Sequence, residues 1–184
     1  EALSFADSHA IPVDAVAVSE GPGSYTGLRI GVSTAKGVCY GRGIPMIALP
    51  TLQVMCVPVL LYEDLPEDAL LCPMIDARRM EVYAAVFENG KQITETAPAI
   101  IDENSYAEYL EQGPVLFIGD GAGKCADVIK HPNAHFCQCH PKASSMLQPA
   151  IEALRKEDFK DVAYFEPFYL KNFVPGLPKV KGLE

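Results

Sequence analysis

The sequence predicts an α/β fold built from two related units, the first of them incomplete. Three observations carry this. Short apolar runs stop at glycine-rich loops and give way to helical periodicity, the grammar of parallel strands with helical cover. The element order of the first 62 residues returns in the remainder of the chain. Hydrophobic residues make up 49% of the 184 residues against 21% charged, the profile of a protein with a sizeable core.

Residues 14–19, DAVAVS, read as a buried strand that stops at Glu20-Gly21-Pro22-Gly23. A helical pattern runs from Ser24 to Tyr40 and is closed by Gly41, Gly43 and Pro45. PMIALP is the next strand, and Thr51 stands where it could cap a helix reaching Leu61. A linker, YEDLPEDA, opens the second unit. LLCPMID and EVYAAVF read as a hairpin around Ala77-Arg78-Arg79-Met80. Asn89-Gly90 is a turn signal that makes KQITETAP a third antiparallel strand. Ser105 and Glu108 form a capping box for YAEYLEQ, VLFIGDGAG repeats the strand-then-glycine theme, and a short helix is expected over Cys125–Lys130. HFCQCH reads as a strand and SSMLQPAIEALRK as a final amphipathic helix. The second part thus runs β-β-β-α-β-α-β-α. The first runs α-β-α-β-α, the back half of the same order, which suggests an incomplete duplication.

The chain opens at Glu1 rather than at a methionine, and EALSFADSHAIP reads as the tail of a helix, so truncation is expected. Fifteen basic and 24 acidic residues leave a net charge of −9, the wrong sign for a free-standing nucleic-acid binder. The tail YLKNFVPGLPKVKGL is locally basic. No apolar run is long enough to span a bilayer, and the opening residues do not read as a secretory signal. Of the six cysteines, Cys39, Cys56, Cys72 and Cys125 lie in or beside apolar runs, as reduced core cysteines of a cytoplasmic protein do.

The stretch SEGPGSYTGLRIGVSTAKG resembles a phosphate loop but fits neither standard spacing. From Gly21 to Gly27 it has one residue too many for G-x-G-x-x-G, and Leu28-Arg29 stands where a Walker loop needs Lys-Ser/Thr. Gly27, Gly31 and Ala35, four apart, share one helical face beside an apolar face of Leu28, Val32, Ala35 and Cys39. Arg29 opposes the helix dipole, which calls for either an acidic partner or solvent. GDGAGK, residues 119–124, is a second near miss. His131, His135, Cys137, Cys139 and His140 are the one metal-like cluster, yet on a strand they read better as core cysteines beside surface histidines. Asp76, Arg78, Arg79, Glu81 and Tyr83 crowd the first hairpin. There Asp76 either caps the turn or orients a metal-bound water. No nucleophilic triad is supported.

GPGSYTGLRIGVSTAKG, IPMIALPTL, IDARRMEVYAAVF and EPFYLKN, in that order, make the chain resemble the bacterial TsaB (YeaZ) family of tRNA threonylcarbamoyladenosine biosynthesis proteins. The resemblance covers essentially the whole chain and implies an actin-like ATPase (ASKHA, ribonuclease H-like) fold of two duplicated subdomains. Residues 1–62 would be the first, lacking its opening strands, and 63–184 the second with its tail. It implies a non-catalytic subunit that supports a catalytic paralogue, TsaD, in modifying adenosine 37 of tRNA, with the ATPase TsaE joining the cycle. No catalytic, cofactor or metal residues are then expected here; ATP and metal belong to the partner subunits, and tRNA is met only through the complex. The partner interface, or one for self-association, falls on the glycine-rich helix: Tyr25, Gly27, Leu28, Arg29, Gly31, Val32, Ala35 and Tyr40. Alternatives are a glycoprotease-like metallopeptidase and a nucleotide-binding, kinase-like protein of the same fold.

Overall fold

The computed structural model describes residues 1–62, 65–66 and 68–171, with only the backbone at Tyr62. The basic tail beyond Lys171 and part of the linker therefore lie outside the described residues. The first unit runs α1 (Ala2–Ser8), β1 (Val16–Gly21), α2 (Tyr25–Arg42), β2 (Met46–Pro50) and α3 (Thr51–Tyr62). β1 and β2 pair in parallel, from Val16 opposite Met46 to Ser19 opposite Leu49. α3 is buried through Leu52, Val54, Met55, Cys56 and Val59, while Gln53, Leu60 and Leu61 are exposed. Thr51 does not serve as the expected cap. It is the first residue of α3, and its hydroxyl turns to β1, accepting from Gly21 N at 3.1 Å and bonding Ser19 Oγ at 2.5 Å.

The second unit continues with β3 (Leu70–Asp76), β4 (Glu81–Ala84), β5 (Phe87–Glu88), β6 (Lys91–Gln92), β7 (Ala97–Ile100), α4 (Ala107–Leu110), β8 (Val115–Ile118), α5 (Ala122–Cys125), β9 (Ala134–Cys137) and α6 (Leu147–Arg155). β3 is the centre of a seven-stranded sheet. β8 lies parallel on one edge with β9 beyond it, and β4 and β5 pair antiparallel on the other. EVYAAVF is two short strands rather than one, because Ala85 and Val86 fall between the pairings. KQITETAP divides with it, β6 joining β5 and β7 joining β4. The capping box is absent: Ser105 Oγ accepts from Asp102 N and donates to Asp102 Oδ1, while Tyr106 stands at the start of α4 with no capping side chain. The short helix after β8 begins at Ala122, ahead of its expected place, because the glycine turn leads straight into it.

One face of this sheet packs around Phe117, which stacks on Phe136 at 5.1 Å and meets the edge of Tyr106 at 5.4 Å. The other face lays Leu71, Phe87 and Ile118 against Leu52, Met55 and Val59 of α3. α6 belongs by sequence to the second unit but returns to the first sheet. Its Ala150 and Ala153 pack on Ile47 and Leu49. Lys160 N then donates to Met46 O at 2.8 Å, so residues after α6 also finish the first unit. Buried thiols match this packing. Burial pushes Cys72 up to about 12 and also raises Cys39, Cys56 and Cys125, leaving them protonated and inert.

Candidate protein-interaction surface

The loop entering α2 is anchored at Gly21 and Pro22, which are buried, while Ser24, Thr26 and Gly27 are exposed. Gly21 sits at φ +118°, and a Cβ there would lie 2.6 Å from Phe168 O, so only glycine fits. Phe168 N closes the loop from below by donating to Glu20 O at 2.7 Å. The Gly21 amide, which a phosphate cradle would aim at its anion, donates to Thr51. Ser24 caps α2 through its hydroxyl, accepting from Gly27 N at 3.4 Å.

α2 buries Leu28, Val32, Ala35 and Cys39, with Ala35 and Cys39 packing against Val16, Val18 and Met46. Of the residues expected at the interface, Leu28, Val32 and Ala35 are buried within the folded chain. Tyr25 packs on Tyr169, ring centroids 4.8 Å apart. Gly31 is half-buried with Val18 Cγ2 3.9 Å from where its Cβ would be. Gly27, Arg29 and Tyr40 do face outward, and Arg29 takes the solvated alternative, forming no ion pair among the described residues.

The outward face was only partly foreseen. Thr26, Ile30, Ser33, Gly37 and Tyr40 form an exposed row at alternating spacings of four and three, a seam on which a second helix could lie. Ile30 is 63% exposed and Tyr40 85%, large apolar surfaces left uncovered. Once Leu28, Val32, Ala35 and Cys39 are taken as the inner stripe, the sequence does yield this row; choosing Gly27, Gly31 and Ala35 as one functional face obscured it. Added Cβ atoms at Gly37 and Gly41 would meet nothing within 4 Å. Glycine in a helix interior costs about 0.5–1 kcal/mol relative to alanine, and nothing inside the chain asks for it at Gly37. α1 is tied to the end of the same helix, where Arg42 donates to both carboxylate oxygens of Asp7 at 2.9 and 2.6 Å.

The other candidates resolve as structural features. Gly119 ends β8 at φ +120°, with Met74 O only 2.2 Å from a Cβ placed there. Lys124 folds back to donate to Asp76 Oδ1 at 2.6 Å and to the carbonyls of Arg79 and Glu81 at 2.7 Å each. Asp76 also accepts from Arg78 N, so it caps the turn, and Lys124 beside it holds its carboxyl below the usual range. Cys137 is exposed rather than in the core, because alternation along β9 puts it on the outward face with His135. Among the described residues no three His, Cys, Asp or Glu side chains are grouped to hold a metal. No helix among them is long and apolar enough to cross a membrane.

The TsaD family, tRNA N6-adenosine threonylcarbamoyltransferase, matches residues 1–172. The tRNA threonylcarbamoyladenosine biosynthesis protein TsaB of Escherichia coli is 31% identical over 170 residues, covering 88% of this chain and 72% of its own. TsaB of Haemophilus influenzae is 38% identical over 173 residues, with the same coverage. A crystal structure of a Pseudomonas aeruginosa protein with similarity to peptidase YeaZ superposes with a TM-score of 0.74 at 22% identity, covering 92% of this chain and 81% of that one. The family match and this likeness together support an actin-like α/β fold.

Proposed function

The chain belongs to the TsaB (YeaZ) family of tRNA threonylcarbamoyladenosine biosynthesis proteins, and from that premise we propose that it is a non-catalytic subunit of the machinery that places threonylcarbamoyl on adenosine 37 of tRNA. It acts in the cytoplasm and supports a TsaD-like catalytic paralogue, with a TsaE-like ATPase joining the cycle. ATP and metal are held by those partners. The paralogue docks on the outward face of α2.

The observation that carries this reading is the pair of glycines at Gly37 and Gly41, whose missing side chains leave open space rather than packed space. Small residues between Ile30 and Tyr40 let a second helix approach closely while the two large side chains supply contact area. The test is co-purification with the paralogue, followed by a tRNA modification assay. Ile30 is mostly exposed and Gly37 faces open space, so Ile30→Glu and Gly37→Glu should both stay folded, lose the paralogue and lose modification. Retention of the complex by both would place the interface elsewhere.

A further inference from the structure

The turn between β3 and β4 places two arginines in a backbone conformation that arginine disfavours. Arg78 has φ +71° and Arg79 φ +50°, both in the left-handed region. At its other tight turn the same chain puts Asn89 (φ +49°) and Gly90 (φ +78°) in the left-handed region, residues suited to it. Nothing in the packing explains the choice at the first turn, since both arginines are exposed and neither guanidinium has a hydrogen-bond or ion-pair partner among the described residues.

The turn is also held rigidly. Lys124 donates to Asp76, Arg79 O and Glu81 O, and Ala77 N donates to Glu81 O at 3.0 Å. Of the acids close by, Asp76 is paired with Lys124 and Glu81 with Lys171, while Asp120 accepts from Asp76 N at 3.0 Å. Arg78 lies near enough to Asp76 to lower its pKa but makes no bond to it. Two free guanidiniums thus project from a fixed hairpin, on a chain whose net charge is −9.

We propose that Arg78 and Arg79 form a phosphate-contacting tip that engages the tRNA backbone when the chain is part of its complex. Guanidinium forks match phosphate oxygens in geometry, and adjacent phosphates along a strand suit two adjacent cations. This rests on the reading of the chain as a subunit of a tRNA-modifying assembly.

The test measures binding of labelled, unmodified tRNA by the complex with the paralogue, over a salt series. Wild type is compared with Arg78→Asn/Arg79→Gly and with Arg78→Gln/Arg79→Gln. Both variants should keep the paralogue, bind tRNA about tenfold more weakly, and flatten the log–log salt slope by roughly two. The Asn/Gly variant should also melt a few degrees higher, because it relieves the turn. Unchanged tRNA affinity and slope would overturn the proposal. So would loss of the paralogue in both variants, which would make the tip a protein contact. If wild type itself fails to assemble, the functional reading falls and the tip falls with it, whereas an assembled complex with unchanged affinity and slope overturns the tip alone.

Discussion

The two sheets begin from the same order of elements and are finished differently. β1–α2–β2–α3 in the first unit corresponds to β8–α5–β9–α6 in the second, and both leading strands end on a glycine near φ +120°, Gly21 and Gly119. β8 has neighbours on both edges, β3 and β9, and its Val115, Phe117 and Ile118 are buried. Among the described residues β1 pairs with β2 alone, and Val16 to Glu20 are only half-buried. The helices diverge further. α5 has four residues and turns its Lys124 inward, whereas α2 has 18 and turns glycines outward. One plan thus yields a closed interior in one unit and a presented surface in the other.

The largest break in this contrast should come from Phe117→Ala at the centre of the closed unit. Loss of its two ring contacts and a cavity in their place cost about 3–5 kcal/mol, read from the urea midpoint. The two strand-ending glycines sharpen the comparison. Gly119→Ala drives a Cβ into Met74 O inside the sheet and should cost about 3 kcal/mol. Gly21→Ala brings a Cβ to 2.6 Å from the backbone carbonyl of Phe168, which its own bond to Glu20 holds in place, so about 2–3 kcal/mol is expected, slightly less than at Gly119, where the approach is 2.2 Å.

A smaller effect separates the units by pH. Asp76 is more acidic folded than unfolded because Lys124 bonds its charged form. Its contribution is therefore complete above about pH 4 and fades as pH falls through the folded value. The stability gap between wild type and Asp76→Asn should close on acidification. A gap that stays constant with pH would remove this ion pair from the account. The smallest change has the opposite sign: Gly37→Ala should stabilise the chain by about 0.5–1 kcal/mol, since its Cβ enters open space. A destabilised variant would mean that α2 needs this glycine for its own packing.

Much of this was legible in the chain. Glycine clusters after DAVAVS and VLFI marked both strand-to-helix turns, and Asn89-Gly90 marked its hairpin, because each depends on neighbouring residues alone. What was missed depends on distant ones. Lys124 meets Asp76 across 48 positions, and α6 returns to the first sheet, pairings that no local pattern encodes. Thr51 and Ser105 carry capping residue types, yet their hydroxyls found better partners in Gly21 N and Asp102. The burial of Leu28, Val32 and Ala35 is not legible either, because helical spacing defines faces but not which of them meets the sheet.

Hydrogen exchange of the chain with and without its catalytic paralogue tests the central claim most directly. Protection concentrated on Tyr25–Arg42, with the amides of β3 and β8 unchanged, is the predicted result. Protection confined to the second unit, or none anywhere, would contradict it.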